Sequence, residues 1–304
     1  MSTTTSPGLI NWLTLIGLGL IWGASFMATR VALDGVGPLS IAAIRLTIGA
    51  SALYLASRAL GHRLPAISER KLWLFILAIA LLSNALPFTA LGLALQHVPS
   101  AFAGVCMAAV PLLVLPLAHF LVPGELMTRR KTLGFLIGFC GVVMLIGLGN
   151  LTEGDGAIAA RLACIGAAFC YAIGSITTRR APQCHPIPLS AAALIIGTVF
   201  MLPTALFVEG WPGPMPTKVW SALIYLGLAP TALATILLVR VIQSAGPSFL
   251  SLVNYQVPIW SVVFGAALLG EAVPGQFLTA LGLILAGLAV SQARRRRPQH
   301  VPSA

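Results

Sequence analysis

The chain has 304 residues, 58% of them hydrophobic and 8% charged, where a soluble globular domain carries about a quarter charged residues. Apolar runs of about 20 residues recur from end to end. They exclude a large soluble core or a coiled coil and read as a polytopic α-helical membrane protein. A net charge of +11 would suggest nucleic acid in a soluble protein; here the cations sit between apolar runs and in the tail, where they set topology, so no nucleic-acid partner is expected.

The opening "MSTTTSPGLIN" lacks the basic region of a cleaved signal peptide, so residues 11–32 read as a retained first span. Nine more spans follow at about 39–60, 72–95, 99–122, 131–149, 158–178, 188–208, 218–242, 246–269 and 275–293, separated by short Pro-, Gly- or charge-bearing stretches such as "HVPS" and "GWPGPMP". Residues 150–157, "NLTEGDGA", form an acidic linker, and 294–304 a basic cytoplasmic tail. Fourteen of the 18 cations fall in the tail or the loops after spans 2, 4, 6 and 8, which places both termini in the cytoplasm.

Taken in chain order, the spans offer few polar groups. Trp22 of span 1 falls mid-span, where pathway lining competes with an interfacial belt. Arg45 of span 2 is the one charge well inside a span, about seven residues from Pro38 or roughly 10 Å. It either snorkels to the outer face or forms an outer-vestibule cation that attracts a carboxylate. Span 3 places Asn84, Pro87 and Phe88 on one face. Span 4 carries Met107 and Pro111, and His119 near its inner end reads as a packed or interfacial histidine. In span 5, Gly134 and Gly138 permit close packing, within the bundle rather than across a dimer, so a monomer is expected. Tyr171 of span 6 matches Trp22, and Pro230 of span 8 matches Pro87. In span 9, Ser251, Asn254, Pro258 and Ser261 form one helical stripe, with Tyr255 and Trp260 beside it. A Ser–Asn–Ser stripe through a proline kink reads as a cavity wall, and packing glue is the alternative. Glu125 and Glu271 precede spans 5 and 10 and suit the positive end of the next helix.

The halves repeat. "FMATR" (26–30) echoes "SITTR" (175–179), "GPLSIAA" (37–43) echoes "IPLSAAA" (187–193), and "VPSAF…VPLLV…PGELM" (98–127) echoes "GPSFL…VPIWS…LGEAV" (246–273). Each copy holds five spans, an odd number, so the second enters the membrane upside down. The expected units are 11–149, a first five-helix repeat, and 158–293, its inverted copy. Pro87, Pro111, Pro230 and Pro258 are the candidate hinges, since proline frees a carbonyl one turn back.

These motifs, with "LIWGASFMATRVAL" in span 1, resemble the EamA branch of the drug/metabolite transporter superfamily over about residues 11–293, and within it the YddG-like aromatic amino-acid exporters. The resemblance implies ten helices in two inverted repeats, metabolite efflux across an inner membrane, and a cavity surrounded by spans 1, 3, 4, 6, 8 and 9 with 5 and 10 outside. There is no HExxH, no paired intramembrane aspartate and no P-loop, so no enzyme or ATP-driven pump is expected. The five cysteines show no CxxC and read as small hydrophobes; no metal or cofactor is expected. The expected substrate-binding residues are Trp22, Asn84, Phe88, Met107, Tyr171, Ser251, Asn254, Tyr255, Trp260 and Ser261. One polar and one apolar wall suit a small amphipathic solute such as an aromatic or large neutral amino acid. A multidrug exporter of the same superfamily is the alternative, and a non-transporting membrane protein the next.

Overall fold

The computed structural model describes residues 8–147 and 156–293. Most of the acidic linker, with Glu153 and Asp155, and the basic tail lie outside the described residues. Among those described there are ten long helical segments, α1 Leu9–Ala32, α2 Pro38–Ala59, α3 Arg70–Ala94, α4 Ser100–Leu121, α5 Arg129–Ile146, α6 Ala157–Arg180, α7 Pro186–Val208, α8 Thr217–Ala245, α9 Val253–Leu269 and α10 Gly275–Gln292, and one short helical turn before α9. Eight are long and apolar enough to cross a membrane. The others are α9, which is 17 residues long, and α5, whose first turn carries Arg129, Arg130 and Lys131. The starts are chemically set. Pro38 and Pro186 open α2 and α7, where a missing N–H costs nothing, and the Thr128 hydroxyl accepts from Lys131 N at the start of α5.

The prolines leave different marks. A π-helical turn, Leu81–Ala85, precedes Pro87; another, Leu228–Leu233, contains Pro230; and a 3₁₀ turn, Met107–Ala109, precedes Pro111. Pro258 differs. It sits inside uninterrupted α9, and the irregularity comes earlier, where a short turn of helix at Pro247–Leu250 gives way at Ser251–Leu252. The matched pair Pro87 and Pro230 thus shares a π-helical turn, whereas the matched pair Pro111 and Pro258 does not break its helices alike.

The widest helix pairings are α5 with α10 and α2 with α7. Others come in exchangeable pairs: α1–α8 answers α6–α3, α2–α8 answers α7–α3, and α1–α9 answers α6–α4. The α5–α10 seam is backbone-close. A Cβ on Gly134 would strike Gly287 O, and one on Gly287 would strike Gly134 O and the Gly138 backbone. Both "GFLIG" glycines thus pack within the bundle.

Two ends can be told apart. The basic end carries Arg58, Arg63, Arg129–Lys131 and Arg179. At the opposite end the Glu209 carboxylate accepts from Leu39 N (2.9 Å) and Ser40 N (2.8 Å), and Lys218 pairs with Asp34 at 2.7 Å. At the basic end Glu125 bridges Lys131 (3.2 Å) and Arg179 (2.8 Å), and hydrogen bonds from both hold its carboxyl below the usual range. Also there, the His62 and His185 rings stack at 3.7 Å, and His185 Nδ1 accepts from Ile187 N at the start of α7. Burial, and then the neighbouring His62, lower the pKa of His185 below its ordinary value. The neutral imidazole is the capping form, so its contribution is present above the unfolded pKa of about 6.5 and fades as pH falls toward the lower folded one. The melting temperature in detergent is expected to drop between pH 7.5 and 5.5. His185→Asn, which caps without titrating, should shrink that drop; an undiminished drop would place the effect elsewhere.

Candidate functional site

A cavity of about 530 Å³ runs through the bundle, a size suited to a small metabolite. It is lined by α1, α2, α3, α4, α6, α7, α8 and α9. The expectation of six lining helices therefore falls short by two: α2 contributes Ile41, Ala42 and Arg45, and α7 contributes Leu189, Ser190, Ala193 and Leu194. Lining residues toward the opposite end, such as Thr29, Ile41, Ala42 and Leu95, are buried, while Ser175 and Thr178 toward the basic end are exposed. The cavity is closed at one end and open at the basic one.

At that buried end the first turns of α4 pack closely on the last turns of α9. A Cβ on Gly104 would overlap the Ser261 side chain, and one on Gly265 would overlap the Glu271 carboxylate. Just beyond α9, Glu271 accepts from Ser100 N (2.7 Å), Ala101 N (3.0 Å) and the Ser100 hydroxyl (3.0 Å). This corrects one expectation. Glu271 complements the N-terminus of α4, far away in sequence, and not that of the helix it precedes. Its repeat counterpart Glu125 does meet the helix that follows it, through Lys131 in the first turn of α5, and it also pairs with Arg179 at the end of α6.

Arg45 is the second correction. It lies in the cavity wall, not in an outer vestibule and not snorkelled to the surface. Its Nε donates to Thr231 Oγ1 at 3.0 Å, and its Cζ lies 3.8 Å from the centre of the Phe88 ring. The chain of cause starts at a kink. Pro230 denies Leu226 O its helical donor, the Thr231 hydroxyl supplies one at 2.8 Å, and the same hydroxyl accepts from Arg45. The Pro230 carbonyl is met in turn by Trp22 Nε1 at 3.1 Å. In the other π-helical turn Asn84 Nδ2 donates to Ile79 O at 3.3 Å, which turns its carbonyl oxygen away from the helix.

Of the ten expected substrate residues, Trp22, Asn84, Phe88, Met107, Tyr171 and Asn254 line the cavity. The other four do not. Ser261 is 1% exposed, shut in the seam, and donates to Pro258 O. Trp260 packs on Gly19 and Gly23 of α1, the Tyr255 hydroxyl reaches Gln292 at 3.3 Å, and Ser251 stands on the irregular turn before α9. Ser251 thus falls off α9, and of the rest of the stripe Asn254 meets the cavity while Ser261, two turns on, meets Gly104 of α4. Ser25, Thr29, Ser175, Thr178 and Thr235 line the cavity unanticipated, and all five hydroxyls donate to carbonyls of their own helices. Their hydrogens are spent, so sequence polarity overstated the site. The side chains of Asn254 and Tyr171 make no hydrogen bond among the described residues and are available to a ligand. No group of three or more metal-ligating side chains occurs among them either.

A model of the EamA-like transporter family matches residues 9–147 and again 158–292. The chain is 29% identical to the inner membrane transporter YedA of Escherichia coli (strain K12), over 89% of this chain and 87% of that protein. It is 27% identical to the aromatic amino acid exporter YddG of Ancylobacter novellus, over 93% and 98%. It is 26% identical to a protein of Streptantibioticus cattleyicolor named a probable terminal-alkyne amino-acid exporter, over 92% and 94%. One solved crystal structure shares the fold, with a TM-score of 0.65 at 23% identity over 93% of this chain and 96% of the other.

Proposed function

The chain belongs to the EamA-like transporter family, and from that premise we propose that it is a bacterial inner-membrane exporter of small amphipathic metabolites, with aromatic or large neutral amino acids as the leading candidates. The observation that carries this reading is the cavity. It is mostly apolar, it holds a few unspent polar groups, and it opens at one end only. The basic end faces the cytoplasm by the positive-inside rule, with both termini there, so the cavity faces the compartment from which an exporter loads.

The cycle is alternating access between two inverted five-helix repeats, residues 11–149 and 158–293, working as a monomer. The exchangeable helix pairings support the repeat, and the α4–α9 seam supports the alternation. Glu271 ties the loop after α9 to the start of α4 at the far end, while at the cytoplasmic end its counterpart Glu125 is held only by the partly exposed ion pairs to Lys131 and Arg179. Opening the far end means releasing Glu271 from α4 and parting Gly104 from Ser261. Trp22, Phe88, Met107 and Tyr171 receive the apolar body of the solute, and Asn84, Asn254 and Arg45 its polar head. A multidrug exporter of organic cations fits less well, because the one charged group on the walls among the described residues is a cation.

In proteoliposomes, exchange of labelled phenylalanine or leucine is expected with the wild type. Asn254→Leu should slow it at least tenfold with an unchanged melting temperature. Wild-type vesicles that move no aromatic or large neutral amino acid while moving an organic cation would overturn the reading.

A further inference from the structure

We propose that, among the amphipathic solutes the cavity admits, it prefers a related metabolite of net charge −1, a carboxylate on an apolar body without an ammonium group, over the zwitterionic amino acid, and that Arg45 is the residue that sets this preference. The inference rests on the cavity being the substrate pathway.

The charge inventory is one-sided. Arg45 is the single cavity-lining side chain among the described residues that is ionised at neutral pH. The titratable groups near enough to feel its charge are the phenols of Tyr171 and Tyr225, and no carboxylate is among them. The described acids are all engaged elsewhere: Asp34 with Lys218, Glu125 with Lys131 and Arg179, Glu209 on α2, Glu271 on α4, and Glu69 with Ala66 N. The cavity therefore presents one positive charge with no protein counter-ion, surrounded by low-dielectric walls.

The geometry says what completes it. Thr231 takes Nε and the Phe88 face takes one side of the guanidinium plane. The two terminal nitrogens make no hydrogen bond among the described residues, and Arg45 lines the cavity. Two parallel N–H donors held on a rigid plane match the two oxygens of a carboxylate. An α-ammonium on the same solute would stand roughly 6 Å from the guanidinium with no acid to receive it. At an effective dielectric of about 20, that repulsion alone disfavours the zwitterion on the order of a hundredfold relative to its N-acylated form.

The same charge supplies the driving force. Moving one negative charge out of a cell that is negative inside runs down the membrane potential and sustains about a 50-fold outward gradient per 100 mV. Net export then needs no proton-relay carboxylate, and none lies on the cavity wall among the described residues.

The test compares N-acetylphenylalanine, phenylalanine and phenylalaninamide, which share one aromatic body and carry net charges of −1, 0 and +1. Purified protein should be half-stabilised against heat by N-acetylphenylalanine at a concentration at least tenfold below that for phenylalanine, with no effect of the amide. In proteoliposomes its efflux should quicken when valinomycin and a potassium gradient make the loaded side negative. Arg45→Gln should abolish the preference and Arg45→Lys should keep part of it. If Arg45→Gln does not fold, the lysine variant and the potential dependence of the wild type decide. Phenylalanine bound and moved as well as its N-acetyl form, or flux indifferent to potential, overturns this inference and leaves the exporter reading standing. Failure of all three probes and of a wider panel of amino acids and carboxylates overturns both.

Discussion

Gly287→Leu is expected to yield no stably folded bundle, whereas Gly282→Leu on the same helix should melt like the wild type. The difference is where the added carbon goes. At Gly287 it meets Gly134 O and the N and Cα of Gly138, all backbone atoms that no rotamer change can move aside. At Gly282 it meets nothing within 4 Å. The helices α5 and α10 lie close along much of their length, from Gly134 against Gly287 and Ser291 to Gly141 against Ala280 and Ile284. In a membrane such a seam is held by close packing rather than by expulsion of water, so parting it forfeits contacts that lipid replaces poorly. The expected loss is about 3 kcal/mol or more, at the upper end for overpacking. Thermal unfolding in detergent, read by size-exclusion monodispersity, checks it. If both variants melt alike, the seam is not where it is placed here.

Glu271→Gln is expected to change function more than fold. The carboxylate accepts three hydrogen bonds at the first turn of α4, two of them from backbone N–H groups at the positive end of that helix. An amide keeps one acceptor oxygen, turns an NH2 toward another donor and loses the charge. Charge-assisted bonds of this kind contribute about 1.5–3 kcal/mol each, of which roughly 2 kcal/mol net is a fair expectation for the exchange. Applied to a two-state equilibrium, that shifts the balance away from the closed far end about 30-fold. In a background with the five native cysteines replaced, Ser261→Cys should gain at least tenfold in maleimide labelling from outside when Glu271 is also changed. Glu125→Gln should alter it little, since partly exposed ion pairs contribute about 1 kcal/mol or less. Unchanged Ser261→Cys labelling in the Glu271 variant would show that the latch does not govern the seam.

The legible features were those that depend on one helix at a time. Apolar length marked the helices, charge bias marked their ends, and Pro87, Pro111 and Pro230 marked irregular turns, because a missing N–H disrupts a helix whatever surrounds it. The duplicated family motifs were visible for the same reason. Of the stripe from Ser251 to Ser261, Asn254, Pro258 and Ser261 lie in α9 while Ser251 stands on the turn before it, and Asn254 reaches the cavity where Ser261 does not. Periodicity gives direction around an axis. It does not say what stands opposite, and about 10 Å further along the same face stands Gly104 of α4.

Sequence alone thus determined the class of protein, its helices, its family resemblance and six of the residues that line its cavity. The tertiary structure decided which polar groups are spent. It moved Arg45 from the rim to the wall by bringing Thr231 and Phe88 against it from α8 and α3. It also moved Glu271 from its own helix to the start of α4, a partner 171 residues away. A buried charge or hydroxyl is defined by the atoms that satisfy it, and in a bundle of long helices those atoms come from elsewhere in the chain.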